Sequence, residues 1–197
     1  VVYVDTTVKP LWTAHFHKSG RVAMLGRVMP CVETVLINQG AGAPLWLRTY
    51  SGHQPLVNNV LPLIDEVEAA IGAGMLGRLT VIDGEMDCVA LFKQFDRRPG
   101  RYFIVPLDRS RVKDLSSIEG LHQLAPYRDG DSIGGGWLDL TDSQDPKAPP
   151  YRTRAIVLQR RTKKTFSVFG TSAPCEEFSD EELIDAYFSR WPKQEQI

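Results

Sequence analysis

The chain has 197 residues, enough for one sizeable core, and its 43% hydrophobic and 24% charged fractions are those of an ordinary globular domain. No apolar run approaches the roughly 20 residues that cross a bilayer as a helix, so a helical membrane protein is excluded. The net charge of −1 announces no polyanion partner, although basic residues cluster at Arg97, Arg98 and Arg101, at Arg109, Arg111 and Lys113, and at Arg160, Arg161, Lys163 and Lys164. Singly, such clusters are solvated loop tips; together they raise the case for a polyanion surface modestly.

Cys31, Cys88 and Cys175 are odd in number and widely spaced, without a C-x-x-C pair. That argues against a disulfide framework or a zinc site and suits a reducing, cytoplasmic setting. No signal peptide pattern opens the sequence. The chain opens on a strand-like run and closes on an interrupted helix, so the expectation is a single domain over 1–197, excised from a longer protein.

In chain order, Val1–Asp5 reads as a short buried strand ending on an acid. A strand is expected within His15–Val28, and others at Cys31–Asn38 and Leu45–Tyr50, the last two joined by the turn-rich segment 40–44. Val60, Ile64, Val67 and Ile71 recur at helical spacing, with Asn58 or Asn59 as cap and Pro62 tolerable in the first turn. Leu79–Asp83 is a second buried strand ending on an acid. A helix at about Met86–Phe95 and a strand at Tyr102–Leu107 follow.

From Asp108 to Pro150, with Gly134-Gly135-Gly136 and a proline-rich run, the sequence predicts an irregular insertion. It extends over 108–170 once the hairpin of Arg154–Arg160 and Thr165–Phe169 is included. Ser179-Asp180-Glu181-Glu182 is a capping box opening a helix through Leu183, Tyr187 and Trp191. The order of elements predicts an α/β mixed sheet flanked by helices.

Two strands ending on Asp5 and Asp83 would bring these acids to a sheet edge, where sites are usually built. On a helix, Tyr187, Trp191 and Glu195 share one face, which aims Glu195 at the sheet; Pro192 removes one backbone hydrogen bond just before it.

The segment from Tyr187 to Glu195, YFSRWPKQE, resembles the Y-x-x-R-W…E signature of insertion-sequence transposases with a DDE catalytic domain. Tyr3-Val4-Asp5-Thr6-Thr7 is similar to the segment around that family's first aspartate, and Val81-Ile82-Asp83-Gly84 to the second. The resemblance implies a ribonuclease-H-like fold with Asp5, Asp83 and Glu195 as catalytic residues holding two Mg2+ ions, for which Mn2+ can substitute. It implies cleavage of transposon-end DNA and transfer of the freed 3′-hydroxyl into target DNA by a bacterial, nucleoid-associated enzyme. Double-stranded DNA and a second copy of the chain on paired ends are the implied partners. Tyr187, Arg190, Trp191 and Lys193, with Arg109, Arg111, Arg160 and Arg161, are the expected DNA contacts. The chemistry suits three acids: magnesium takes oxygen ligands, and paired ions activate the nucleophile and neutralise the transferring phosphoryl group. The competing readings are another ribonuclease-H-like nuclease and a non-catalytic DNA-binding derivative.

Other signals are weaker. Gly72-Ala73-Gly74-Met75-Leu76-Gly77 matches a dinucleotide-binding pattern but follows a helix and precedes a strand, the reverse of the required order. His15 and His17 read as surface or DNA-facing residues. Asp129, Asp131 and Asp139 read as solvated loop acids, and Glu85 and Asp87 lie close enough to Asp83 to tune or replace it.

Overall fold

The computed structural model describes residues 1–13, 15–40, 43–52, 56–121, 123–162 and 165–190. The expected turn at Ala41 and Gly42, the basic tip at Lys163 and Lys164, and the motif residues Trp191, Pro192, Lys193 and Glu195 lie outside them. The chain divides into two compact units, Val2–Gly77 and Arg78 onward, the latter including Val1.

The N-terminal unit contains β1 (Val2–Pro10), β2 (Ser19–Val22), β3 (Arg27–Gln39), β4 (Ala43–Ser51) and α1 (Val60–Ile71). β3 organises it. Its 13 residues reach roughly 43 Å at about 3.3 Å per residue, enough to take β1 antiparallel along one edge and both β2 and β4 along the other. Cys31, Glu33, Val35 and Ile37 are buried in alternation, as period-two side chains require. α1 buries Val60, Leu61, Leu63, Ile64 and Val67, and Pro62 falls in the first turn, where its missing N–H removes no helical bond. Asn59 caps this helix by position, its side chain not accepting from the first-turn amides.

The C-terminal unit contains β5 (Leu79–Val81), a 3-10 turn at Gly84–Met86, α2 (Val89–Asp96), β6 (Tyr102–Pro106), β7 (Ala125–Pro126), β8 (Ser132–Leu140), β9 (Tyr151–Gln159), β10 (Phe166–Thr171) and α3 (Asp180–Phe188). Its sheet runs β5-β6-β10-β9-β8-β7. β5 and β6 are parallel, linked through α2, and the other pairs are antiparallel, so the expected mixed α/β sheet is present. α2 packs through Phe92, whose ring stacks on Phe103 at 4.5 Å, and Phe95, 5.4 Å from the same ring. Among the described residues no helix is long and apolar enough to cross a membrane.

Three expectations are corrected. Asp5 does not end a strand: β1 continues to Pro10 because β3 offers partners as far as Cys31. β5 stops at Val81, and Asp83 lies two residues beyond it. The glycine run is not irregular. Gly134, Gly135 and Gly136 lie within β8, paired with Val157, Ile156 and Ala155 of β9.

The glycines are there because the strand is closely covered. A Cβ on Gly135 would meet Asp180 Oδ2 at 2.5 Å, and one on Gly136 would meet Ile118 Cγ2 at 2.7 Å and the Glu119 carbonyl oxygen at 2.8 Å. The strand is packed under the start of α3 and the 118–121 segment, and only glycine leaves room.

Candidate active site

The turn after β5 positions Asp83. Val81 and Ile82 are fully buried, so the chain enters the turn from the core. Asp83 then takes an extended conformation as N-cap of the 3-10 turn, and its Oδ1 accepts the Gly84 N–H at 2.6 Å. A short acceptor at a helix-like N-terminus is the ordinary role of such an aspartate. Its other oxygen is the distinctive one. Asp83 Oδ2 accepts from Arg190 Nη2 at 3.3 Å.

Arg190 comes from the chain just past α3. Ser179 starts that helix through the expected capping box: its hydroxyl accepts the Glu182 N–H, and the Glu182 carboxylate accepts the Ser179 N–H. A partly buried ion pair fixes the same end. Arg154 donates to Asp180, and also to the carbonyls of Ala173 and Phe178. At the other end Tyr187 is buried against Phe169 and Phe188, with ring centroids 4.8 and 5.3 Å away, and the Arg190 guanidinium lies 5.7 Å from the Tyr187 ring. Burial raises the Tyr187 phenol pKa; Arg190 opposes this and Asp83 adds to it. The sequence reading made Tyr187 and Arg190 DNA contacts. In the structure both are buried, and Arg190 reaches Asp83.

The remaining expected residues are placed as follows. Asp5 lies half-buried in β1 of the N-terminal unit, opposite Leu36 of β3. Arg109 and Arg160 line a cavity of about 240 Å3 together with Leu107, Phe169, Tyr187 and Phe188, and the Arg160 guanidinium lies 4.9 Å from the Phe188 ring. Arg161 is exposed, its N–H donating to Asp131 Oδ1. Arg111 is largely withdrawn from solvent. It donates to Asp87 Oδ2 at 2.9 Å, to the Asp87 carbonyl and to the Thr141 carbonyl.

Asp87 is the functional-looking residue that sequence reasoning placed too lightly. Its side chain is 5% exposed, it accepts the Asp108 N–H, and burial raises its pKa above the ordinary value. The only sequence signal was its position four residues after Asp83. Glu85 is exposed, and the three cysteines are free thiols, Cys31 buried, Cys88 partly buried and Cys175 exposed. Among the described residues, no three His, Cys, Asp or Glu side chains cluster closely enough to hold a metal.

The C-terminal unit therefore presents the partly exposed Asp83 carboxylate, held by a backbone amide and a buried guanidinium. Comparison with known proteins bears on what it serves. The fold is similar to that of part of a solved transposase. Superposed on the cryo-EM structure of a piggyBac transposase synaptic complex with hairpin DNA, the chain matches with a TM-score of 0.52 over 99% of its length, at 7% identity. It spans 38% of that protein's length. No protein-family model matches the sequence, and no curated protein matches it.

Proposed function

We propose that the chain is the catalytic core of a DDE-type transposase, ribonuclease-H-like in fold. On this reading it cleaves transposon-end DNA and transfers the freed 3′-hydroxyl into target DNA, with Asp5, Asp83 and Glu195 as the metal-holding acids. The observation that carries the reading is the contact between Asp83 and Arg190. These residues belong to two separate motifs of the resemblance, 107 positions apart, and they meet at 3.3 Å. The fold likeness to a transposase solved with hairpin DNA supports the same reading.

Asp83 fits the implied group in its donor chemistry. It offers carboxylate oxygens, the ligands magnesium prefers, on a side chain 38% exposed and restrained by the Gly84 amide. Bound magnesium would neutralise the transferring phosphoryl group and activate the attacking water or 3′-hydroxyl. The protein's own part is orientation: Gly84 and Arg190 each hold one Asp83 oxygen, so the carboxylate is aimed before any ligand arrives. Double-stranded DNA is the proposed substrate, bound by a homodimer on paired ends.

The test is cleavage of end-containing DNA in magnesium by the wild type, Asp83→Asn and Asp5→Asn. Cleavage should disappear in both variants while DNA binding in EDTA is retained. Wild-type rates in either variant would remove the assignment. Binding without cleavage in the wild type itself would favour a non-catalytic derivative.

A further inference from the structure

The N-terminal unit carries a surface that the catalytic reading does not use. From Thr6 to Val32 the sequence has no acidic residue, whereas Lys9, Lys18, Arg21 and Arg27 supply four positive charges. The chain as a whole has net charge −1, so this segregation is local. The same stretch exposes large apolar side chains: Trp12 is 73% and Phe16 94% accessible, and Met24 and Val28 are also exposed.

The geometry gives these residues a common base. β2 pairs antiparallel with the first residues of β3, placing Arg21 opposite Val28 and Val22 opposite Arg27. Gly26, at φ +64°, closes the link between the strands in a conformation that glycine adopts freely. The segment before β2 is tied down at both ends: Leu11 N–H donates to the Pro30 carbonyl, and Cys31 N–H to the Lys18 carbonyl. The Arg27 guanidinium lies 5.1 Å from the Trp12 ring centroid. Arg21 and Arg27 are therefore carried on the two strands of a paired ribbon, one on each face, and Trp12, Phe16 and Lys18 on the segment that leads into it.

We propose that this ribbon and the segment leading into it bind an unpaired stretch of nucleic acid passing over the ribbon's edge, its phosphates on Lys18, Arg21 and Arg27 and its bases stacked on Trp12 and Phe16. The argument is one of complementarity. An apolar protein partner would use the exposed rings but not the acid-free charge, and a duplex would use the charge but shield its base faces. Unpaired DNA uses both, because every base offers a π-face and every linkage a negative charge. The proposal deepens the DNA-processing reading by giving its substrate's unpaired segment a surface, yet it is tested without metal or catalysis.

The experiment uses the full chain in EDTA, with fluorescence anisotropy of a labelled 12-nucleotide oligothymidine, the matching 12-base-pair duplex, and anionic phosphatidylglycerol vesicles as a third arm. The single strand should bind more tightly than the duplex and quench tryptophan fluorescence in the wild type but not in Trp12→Phe. Arg21→Glu with Arg27→Glu should weaken the oligomer at least tenfold and flatten its salt dependence, by about 0.7 in the logarithmic slope per lost phosphate contact. Trp12→Ala should weaken it severalfold with the salt slope unchanged. Circular dichroism confirms folding, and Lys18→Glu, on the segment before β2, supplies an independent charge reversal. Unchanged oligomer affinity in the charge-reversed variants overturns the proposal, as do duplex preference or binding to vesicles alone. Because oligomer binding is read in EDTA and the charge reversals lie outside the acids tested for cleavage, loss of cleavage and loss of ribbon binding report on separate readings.

Discussion

Arg190 and Asp83 form an asymmetric pair: the guanidinium side chain is 6% exposed and the carboxylate 38%. The arginine is the interior partner and the acid is the one turned towards solvent. Such a pair works less as a stabilising bridge than as a mount, since exposed carboxylates gain little from ion pairing but much in fixed orientation.

Arg190→Gln should lower unfolding stability by about 1–2 kcal/mol, through lost packing against Tyr187 and a lost charged hydrogen bond. On the proposed reading, saturating magnesium should then raise the melting temperature more in the variant than in the wild type. The cation takes over the partner role that the guanidinium otherwise fills. Equal metal-induced shifts in both proteins would reduce Arg190 to a packing residue.

Asp87 makes a pH-dependent prediction with a definite sign. Burial holds its pKa above the ordinary 3.8, despite Arg111 and the Asp108 amide. An acid with a raised folded-state pKa contributes stability that is fully present below its unfolded value and is lost as pH rises through the folded value. The melting temperature of the wild type relative to Asp87→Asn should therefore fall as pH increases from about 3.8 upward. A difference that grows with pH would mean that the Arg111 pairing outweighs desolvation.

Gly136→Ala should destabilise the C-terminal unit by about 1–3 kcal/mol, because the added methyl meets the Glu119 backbone, which cannot swing aside. Gly40→Ala offers a contrast, since nothing lies within 4 Å of its Cβ position and only its φ of +58° is strained. Urea denaturation of both variants separates steric crowding from backbone strain.

Ser179→Ala should cost about 1 kcal/mol by removing the hydroxyl acceptor of the α3 capping box. Because α3 leads to Arg190, the loss should also increase hydrogen exchange of the final turn. Exchange unchanged near Tyr187 would show that the Arg154–Asp180 pair alone fixes the helix start.

Local physics made much of this protein readable without coordinates. The α1 periodicity ran from Val60 to Ile71 as the structure has it, and the capping box at Ser179 and the hairpin of β9 and β10 followed from rules acting over a few residues. Asp83 was legible as a candidate because an apolar run leads into it. The rest depended on distant partners. Whether β1 ends at Asp5 or continues to Pro10 is decided by how far β3 extends beside it, which no feature of the first ten residues encodes. Gly134–Gly136 looked like loop residues because their reason for being small lies in Ile118, Glu119 and Asp180. The burial of Arg190 against Asp83 likewise belongs to neither motif alone. A side chain's desolvation and its partner are set by the packing of elements remote in sequence, and only the tertiary structure brings those together.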